Sequence, residues 1–464
     1  MTNELLHDLA GLVGDDLPKP LRPSTNGASP TVWAEHLEVF TGEKGTAWTP
    51  RNAAENLLAT GLHVARGGRE LYVFRGGRYV RGEEWLRELL AQQLAEHWRR
   101  GRADDVLAYL DAVAPDLWER PPLDTINVAN GLLKLNTGEL ASHDPAFLSP
   151  VQIPVTFDLD ARCPAVDMFM AAAFPEDSLG LAYEELGLLL LPDTAMQQAL
   201  LLIGGGGNGK SVYLRVATEL VGSENVSNRT LQEIADDRFA AADLYGKLAN
   251  ISADIPGTPL RQADLFKRLT GEDWITGQRK YGAAFDFQPY ARLLFSGQEI
   301  PPTPDASYAY RRRWLVLRFP HTFNGKTCPA CGATHERDER LFDKLTTPGE
   351  LSGLLNRTRA AYLDLRSRGS FTETASTSAG AAELTETIDD TIAFVEECCI
   401  TDADARVDRA ALYRAYRTWS EAAGHRPFRD RRFFSCIRAR GFDERPYAGR
   451  PNFHGIGLQS EVGP

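Results

Sequence analysis

The sequence predicts an α/β protein of several domains, and three observations predict it. A glycine-rich stretch, Leu201 to Val212, stands between an apolar run and a helical segment. Short apolar runs alternate with helical segments across residues 160–325, the pattern of buried strands in a parallel sheet covered on both faces. Residues 386–464 read as three helices followed by a β-ribbon, the outline of a helix-turn-helix or winged-helix unit.

Length and composition bound the reading. A chain of 464 residues has room for roughly three domains. With 43% hydrophobic and 25% charged residues the composition is ordinary for globular proteins. No apolar run reaches the roughly 18–20 residues of a membrane span. The first residues lack a basic stretch followed by an apolar one, so no secretory signal is read. Six cysteines in this length do not make a disulfide framework. The expectation is a soluble, cytoplasmic protein with no membrane partner. A net charge of −12 argues against a general coat of positive charge, but nucleic-acid binding can be local. Nine lysines stand against 42 arginines. Four of those lysines, Lys210, Lys247, Lys267 and Lys280, fall within one stretch.

Taken in order, residues 1–50 contain Pro-Lys-Pro and Arg-Pro-Ser-Thr-Asn-Gly-Ala-Ser-Pro, show little periodicity and read as a flexible leader. Residues 51–150 form a small α+β domain. Within it, residues 70–80 predict two short strands around Gly76-Gly77. Residues 83–100 and 103–113 predict amphipathic helices, with Trp85, Leu86, Leu89, Leu90 and Leu94 at helical spacing. Asn127 to Leu140 predicts a second β unit. The core at 160–325 has apolar runs at 199–203, 247–251, 291–295 and 314–319. A loop at 326–345 carries cysteines and histidines. Residues 346–370 continue as a helix, and 371–385, Ser- and Thr-rich, read as a linker. The three helices of the last domain are expected at 389–399, 409–423 and 430–440.

The glycine stretch satisfies G-x-x-x-x-G-K-[ST] from Gly204 to Ser211. Gly204, Gly205, Gly206, Gly207, Asn208 and Gly209 can turn their N–H groups toward phosphate oxygens, and the following helix adds the positive end of its dipole. Lys210 offers a point charge to the outer phosphates, Ser211 offers a hydroxyl for Mg²⁺, and Val212 is counted as the last residue of the nucleotide-binding stretch. Such a loop needs an acid at the end of a neighbouring strand, and Asp254 follows the run Lys-Leu-Ala-Asn-Ile-Ser-Ala. ATP and Mg²⁺ are the expected cofactors.

Three later segments follow in order: Phe266 to Lys280, Leu293 to Pro301 and Arg311 to Phe319. With Asn127 to Leu135 upstream, they resemble the superfamily III helicases, specifically the phage/plasmid and poxvirus-type primase-helicase family, over about residues 60–460. The resemblance implies an AAA+ P-loop ATPase core, with a small N-terminal α+β domain and a C-terminal winged-helix domain, assembled as a hexameric ring around DNA. It implies that Asp254 is the Walker B acid and Gln298 the sensor. It places Lys280, next to Arg279, in a DNA-contacting hairpin, and makes Arg312 or Arg313 the finger that reaches a neighbour's ATP. Two departures stand out. The sensor is usually Asn, and the Walker B run has one acid, with Ala253 beside it. No primase-type carboxylate pair is read upstream, so a primase or other replication protein is an expected partner.

Two further constellations complete the sequence. His321, Cys328, Cys331 and His335 have thiolate and imidazole spacing suited to tetrahedral Zn²⁺. Between Arg426 and Arg450 eight arginines face three acids. Arg429, Arg431 and Arg432 open the third helix, where a recognition helix contacts DNA. The expected function is ATP-dependent unwinding of duplex DNA in the replication of a phage, plasmid or other mobile element. The alternative is a nucleotide-gated, origin-binding initiator with weak or no unwinding.

Overall fold

A computed structural model describes residues 49–459 apart from 69, 256–262, 280–281, 302, 304–306, 329 and 424–426. The leader expected at 1–50 lies outside the described residues except for its last two, and Lys280 lies outside them too.

A helix at Pro50–Ala59 leads into an antiparallel sheet of β1 (Val64–Gly67), β2 (Glu70–Arg75) and β3 (Arg78–Arg81). Arg75 pairs with Arg78 across Gly76-Gly77. Both glycines have positive φ, 56° and 81°, the left-handed pair that a two-residue hairpin of matching twist requires. The strand β1 was not foreseen, because four residues without alternation carry no periodic signal. Helices Glu83–Leu94 and Arg100–Val113 close over this sheet through Leu86, Leu90, Val106 and Leu110. The first is shorter than its periodicity suggests: the chain breaks at Ala95, which takes a φ of 44°. A second antiparallel sheet follows, with β4 (Thr125–Val128), β5 (Gly131–Lys134) and β6 (Leu140–Ala141).

The central sheet has five strands, β7 (Ala199–Ile203), β8 (Val226–Ser227), β9 (Ala249–Ser252), β12 (Arg292–Gly297) and β13 (Trp314–Arg318); a separate hairpin of β10 (Ile275–Gln278) and β11 (Ala284–Phe287) lies between them in sequence. All pairings in the five-stranded sheet are parallel, in the order β13-β7-β12-β9-β8. Along β7, Leu200 and Leu202 pack with Tyr213, Val216 and Leu220 of helix Lys210–Val221. Ala199, Leu201 and Ile203 pack on the other face with Phe266 and Trp314. Two buried faces explain why these strands read as unbroken apolar runs instead of alternating ones.

The linker expected at 371–385 is instead the start of a helix, Ala375–Ile388. A capping box of Thr374 and Thr377 starts it. Gly380, Leu384 and Ile388 recur every four residues and are all buried. The helix lies so close to the sheet that a Cβ on Gly380 would stand 2.5 Å from the carbonyl oxygen of Val316 in β13. Small residues that resemble a linker by composition here let a helix press onto the edge strand.

The helix Pro348–Arg368 precedes this segment. After it come helices Thr391–Cys398, Arg409–Ala422 and Asp430–Ala439, with β14 (Cys399–Ile400), β15 (Arg406–Asp408), β16 (Asp443–Tyr447), β17 (Arg450–His454) and β18 (Gly457–Leu458). β15, β17 and β16 form a three-stranded sheet around Phe394, Tyr416, Phe433 and Phe453. Among the described residues no helix is long and apolar enough to cross a membrane.

Candidate functional site

The glycine loop leaves the C-terminal end of β7 and ends at Gly209, whose φ of 94° turns the chain into the helix beginning at Lys210. Gly204 has no room for a side chain: a Cβ there would lie 2.3 Å from Asn208 Nδ2 and 2.8 Å from the Phe319 carbonyl oxygen. Gly205, Gly206, Gly207 and Ser211 are exposed, whereas Asn208 and Lys210 are buried and Val212 is half-buried. Lys210 Nζ donates to the carbonyl oxygens of Gly204 and Gly205 at 2.5 and 2.9 Å and to Asn208 Oδ1 at 3.2 Å. Burial lowers the basicity of this amine, and the charge of Asp254 opposes that effect. The lysine that would meet phosphate is therefore held over its own loop, near an acid.

Asp254 follows β9 and is exposed, with a φ of 53°. The left-handed region is costly for most side chains but tolerated by Asp. Two hydrogen bonds hold the turn: Asp254 N–H donates to Ser296 Oγ at 3.3 Å, and Ile255 N–H to the Ser296 carbonyl oxygen at 2.8 Å. Ser296 lies in β12, between β7 and β9, and Gln298 is the exposed second residue beyond it. Gly204 N–H donates to the Gly297 carbonyl oxygen at 3.3 Å, so the sensor strand and the glycine loop touch at their ends. The structure thus gathers Gly204 to Ser211, Asp254 and Gln298 at one edge of one sheet. The supporting role of Ser296 was missed; its only sequence signal is its place at the end of an apolar run.

Arg312 and Arg313 sit elsewhere. They precede β13, and Trp314 pairs with Ala199 while Arg318 pairs with Ile203. They therefore lie at the N-terminal edge, about 13 Å of strand away from the loop at about 3.3 Å per residue. Arg312 is exposed, with Gln197 Oε1 at 3.4 Å. Arg313 is half-buried and donates to the carbonyl oxygens of Ala309 at 2.7 Å and Lys267 at 3.3 Å. Neither is brought to this chain's own glycine loop.

The hairpin β10–β11 presents Arg279 at its tip. Arg279 Nη1 pairs with Glu70 Oε1 at 3.2 Å, an exposed contact of the kind that contributes little and exchanges readily. In the C-terminal unit Arg429 and Arg431 are exposed. Arg432 is not presented with them. It donates to the carbonyl oxygens of Thr303 at 3.2 Å and Ile388 at 2.9 Å and lies 3.6 Å over the Phe428 ring. Its place is that of a brace against helix Ala375–Ile388, which corrects its assignment to a DNA-facing row.

His321, Cys328, Cys331 and His335 converge: one ligand atom from each lies within 4.8 Å of all the others. Cys328 Sγ is 3.8 Å from His321 Nδ1, and Cys331 Sγ is 3.1 Å from His335 Nε2. The donor set, two thiols and two imidazoles, suits zinc.

Comparison with known proteins follows this layout. Residues 44–175 match the family described as D5 N terminal like. Residues 386–440 match that described as Poxvirus D5 protein-like. These two matches lie on either side of the central sheet. Between them, residues 202–313 match a family of unknown function, DUF5906, a span that takes in the glycine loop, Asp254, Gln298 and both arginines. Solved structures of the NrS-1 C terminal region share the fold. An A form apo structure aligns at a TM-score of 0.52 and 13% identity over 89% of this chain and 100% of that one. An apo structure of the same region aligns at 0.52 and 13% over 88% and 99%. Another A form apo structure gives 0.51 and 12% over 88% and 100%. The flanking matches support a D5-type primase-helicase family, the coarser part of the resemblance drawn from the sequence, and the solved structures show a shared fold.

Proposed function

We propose that this chain is an ATP-dependent DNA helicase acting in the replication of a phage, plasmid or other mobile element, and that it works as an oligomeric ring with an AAA+ core. The observation that carries the reading is the division of one catalytic set between the two edges of one sheet. The glycine loop, Asp254 and Gln298 stand at the C-terminal edge, and Arg312 and Arg313 at the opposite one. Numbered along the chain, the strands lie in the order 5-1-4-3-2. This order places the sensor strand between the loop strand and the acid-bearing strand.

Bound ATP with Mg²⁺ would supply the phosphoryl group whose transfer to water releases energy. The loop N–H groups would hold phosphate oxygens, as helix N-termini do for anions. Lys210 would exchange the carbonyl oxygens of Gly204 and Gly205 for phosphate oxygens. Ser211 and Asp254 would hold the metal, and Gln298 would orient the attacking water. Arg312 or Arg313 would neutralise developing charge on the nucleotide of a neighbouring copy, where a planar guanidinium is suited to phosphate geometry. The hairpin with Arg279 and Lys280 would contact one DNA strand, and the C-terminal unit, read as a winged helix, would meet duplex DNA through Arg429 and Arg431.

The second reading is a nucleotide-gated initiator with little unwinding. Gln298 favours it, because the carboxamide is one methylene longer than the family's Asn. Strand displacement from a forked DNA decides between them. ATP-dependent displacement by the wild type, absent in Lys210→Ala, is the expected result. ATP-dependent duplex binding without displacement would favour the initiator. No phosphate release at all would remove the nucleotide reading.

A further inference from the structure

The cysteine–histidine cluster is not a separate appendage. The segment leaving β13 runs directly over the glycine loop before it reaches the cluster. Phe319 N–H donates to the Ile203 carbonyl oxygen at 2.8 Å, and Asn208 Nδ2 approaches the Phe319 carbonyl oxygen at 3.5 Å. Phe323 N–H then donates to the carbonyl oxygen of Gly207 at 2.7 Å. Gly207 is one of the exposed glycines of the phosphate loop, so the strap is tied to that loop through its backbone.

The same strap carries the ligands. His321 lies between the two anchoring residues, Phe319 and Phe323. The ring of Phe323 packs on His335 with centroids 5.2 Å apart. Beyond it the chain doubles back in a short bridge of Thr327 with Thr334. Cys328 N–H donates to the Ala333 carbonyl oxygen at 2.8 Å, and Gly332 N–H to that of Cys328 at 2.8 Å. Gly332 takes a φ of 71°, which lets the chain turn directly after Cys331. Cys328 is fully buried and Cys331 exposed, so the cluster has one inner and one outer thiol. With Zn–S near 2.3 Å and Zn–N near 2.0 Å, a tetrahedron has edges of roughly 3.5 Å. The two measured sulfur–nitrogen separations, 3.8 and 3.1 Å, bracket that value.

We propose that Cys328, Cys331, His321 and His335 bind one zinc ion, and that this ion fastens residues 319–335 across the phosphate loop, so that metal occupancy sets the affinity for nucleotide. Apart from the metal, few apolar groups hold the cluster: residues 324–327 and 330–334 are exposed. A loop of this kind folds on its metal. Loss of zinc frees Phe323, and the Gly207 carbonyl loses its partner. The loop N–H groups then spend less time in the arrangement that grips phosphate. The coupling rests on the nucleotide reading above; the metal site does not.

The test uses full-length protein purified under reducing conditions without added chelator. Elemental analysis gives zinc per chain. Binding of a fluorescent ATP analogue is titrated before stripping the metal with a chelator, after stripping, and after zinc is returned. About one zinc per chain is expected. Stripping should weaken nucleotide binding at least roughly tenfold, and returned zinc should restore it. Cys331→Ser should lose the metal. Phe323→Pro removes the N–H that Gly207 accepts but leaves all four ligands. It should keep zinc and bind nucleotide weakly, and it decides the coupling even if stripping unfolds the chain. Less than about half an equivalent, also after exposure to zinc, overturns the metal site. Full zinc with unchanged affinity in Phe323→Pro overturns the coupling. Failure of zinc-loaded wild type to bind nucleotide overturns the nucleotide reading and the coupling together, while stoichiometry still judges the metal.

Discussion

At the C-terminal edge of the central sheet the chain offers exposed glycines, a buried lysine and an acid whose turn is held by Ser296. At the N-terminal edge it offers arginines, and these differ from one another. Arg292, at the start of β12, is buried and forms a two-pronged pair with Glu185, Nη2 to Oε1 at 2.5 Å and Nε to Oε2 at 3.1 Å. Its third nitrogen, Nη1, donates to the Gln198 carbonyl oxygen. Arg312, at the start of β13, is exposed and meets Gln197 at 3.4 Å. Two arginines at the same edge thus have opposite fates, one saturated within the fold and one presented outward. A charge count cannot separate them. Burial does, because a guanidinium withdrawn from water must fill its fork with partners.

The largest effect that would test this contrast is at the other edge. Lys210→Ala should reduce ATP hydrolysis to background in a phosphate-release assay. Next, one of Arg312→Ala and Arg313→Ala should lower turnover by roughly 10³-fold or more while leaving ATP binding nearly intact. Mixed with Lys210→Ala, that variant should regain activity, since intact loops then meet intact arginines. A mixture no more active than its parts would break the idea of a site shared between copies. Asp254→Asn should cost roughly 10²–10⁴ in turnover, with the fold unchanged by circular dichroism.

Smaller effects sharpen the comparison among the arginines. Arg292→Met would leave Glu185 charged and unpaired inside the fold, at a cost of about 3–5 kcal/mol. Urea denaturation should show it, whereas Arg312→Ala should shift stability by no more than about 0.5 kcal/mol. The same division recurs in the C-terminal unit. Arg431→Ala should reduce the slope of log affinity against log salt for duplex DNA by about 1. Arg432→Ala should leave that slope unchanged and loosen the packing against helix Ala375–Ile388. Equal slopes for both variants would erase the distinction.

Parts whose signals are local were legible in the order of residues alone. Gly204 to Ser211 carry their own conformational requirement, and the apolar runs that became β7, β9, β12 and β13 needed no partner to be recognised. The hairpin at Gly76-Gly77 and the three C-terminal helices were legible for the same reason. The rest depends on register and on which surfaces meet. The two-residue β8 exists because β9 offers it an edge. Helix Ala375–Ile388 is a helix because Gly380 lets it reach β13, a fact about Val316 that lies far away in sequence. Parallel pairing of β13 with β7 sends Arg312 and Arg313 to the edge away from the glycine loop. The pairing of Glu185 with Arg292, and the strap from Phe319 to His335 over Gly207, likewise join residues whose chain separation hides them. Side-chain chemistry and short-range periodicity are written residue by residue, whereas a contact is a property of two distant segments and takes form only when the sheet brings them together.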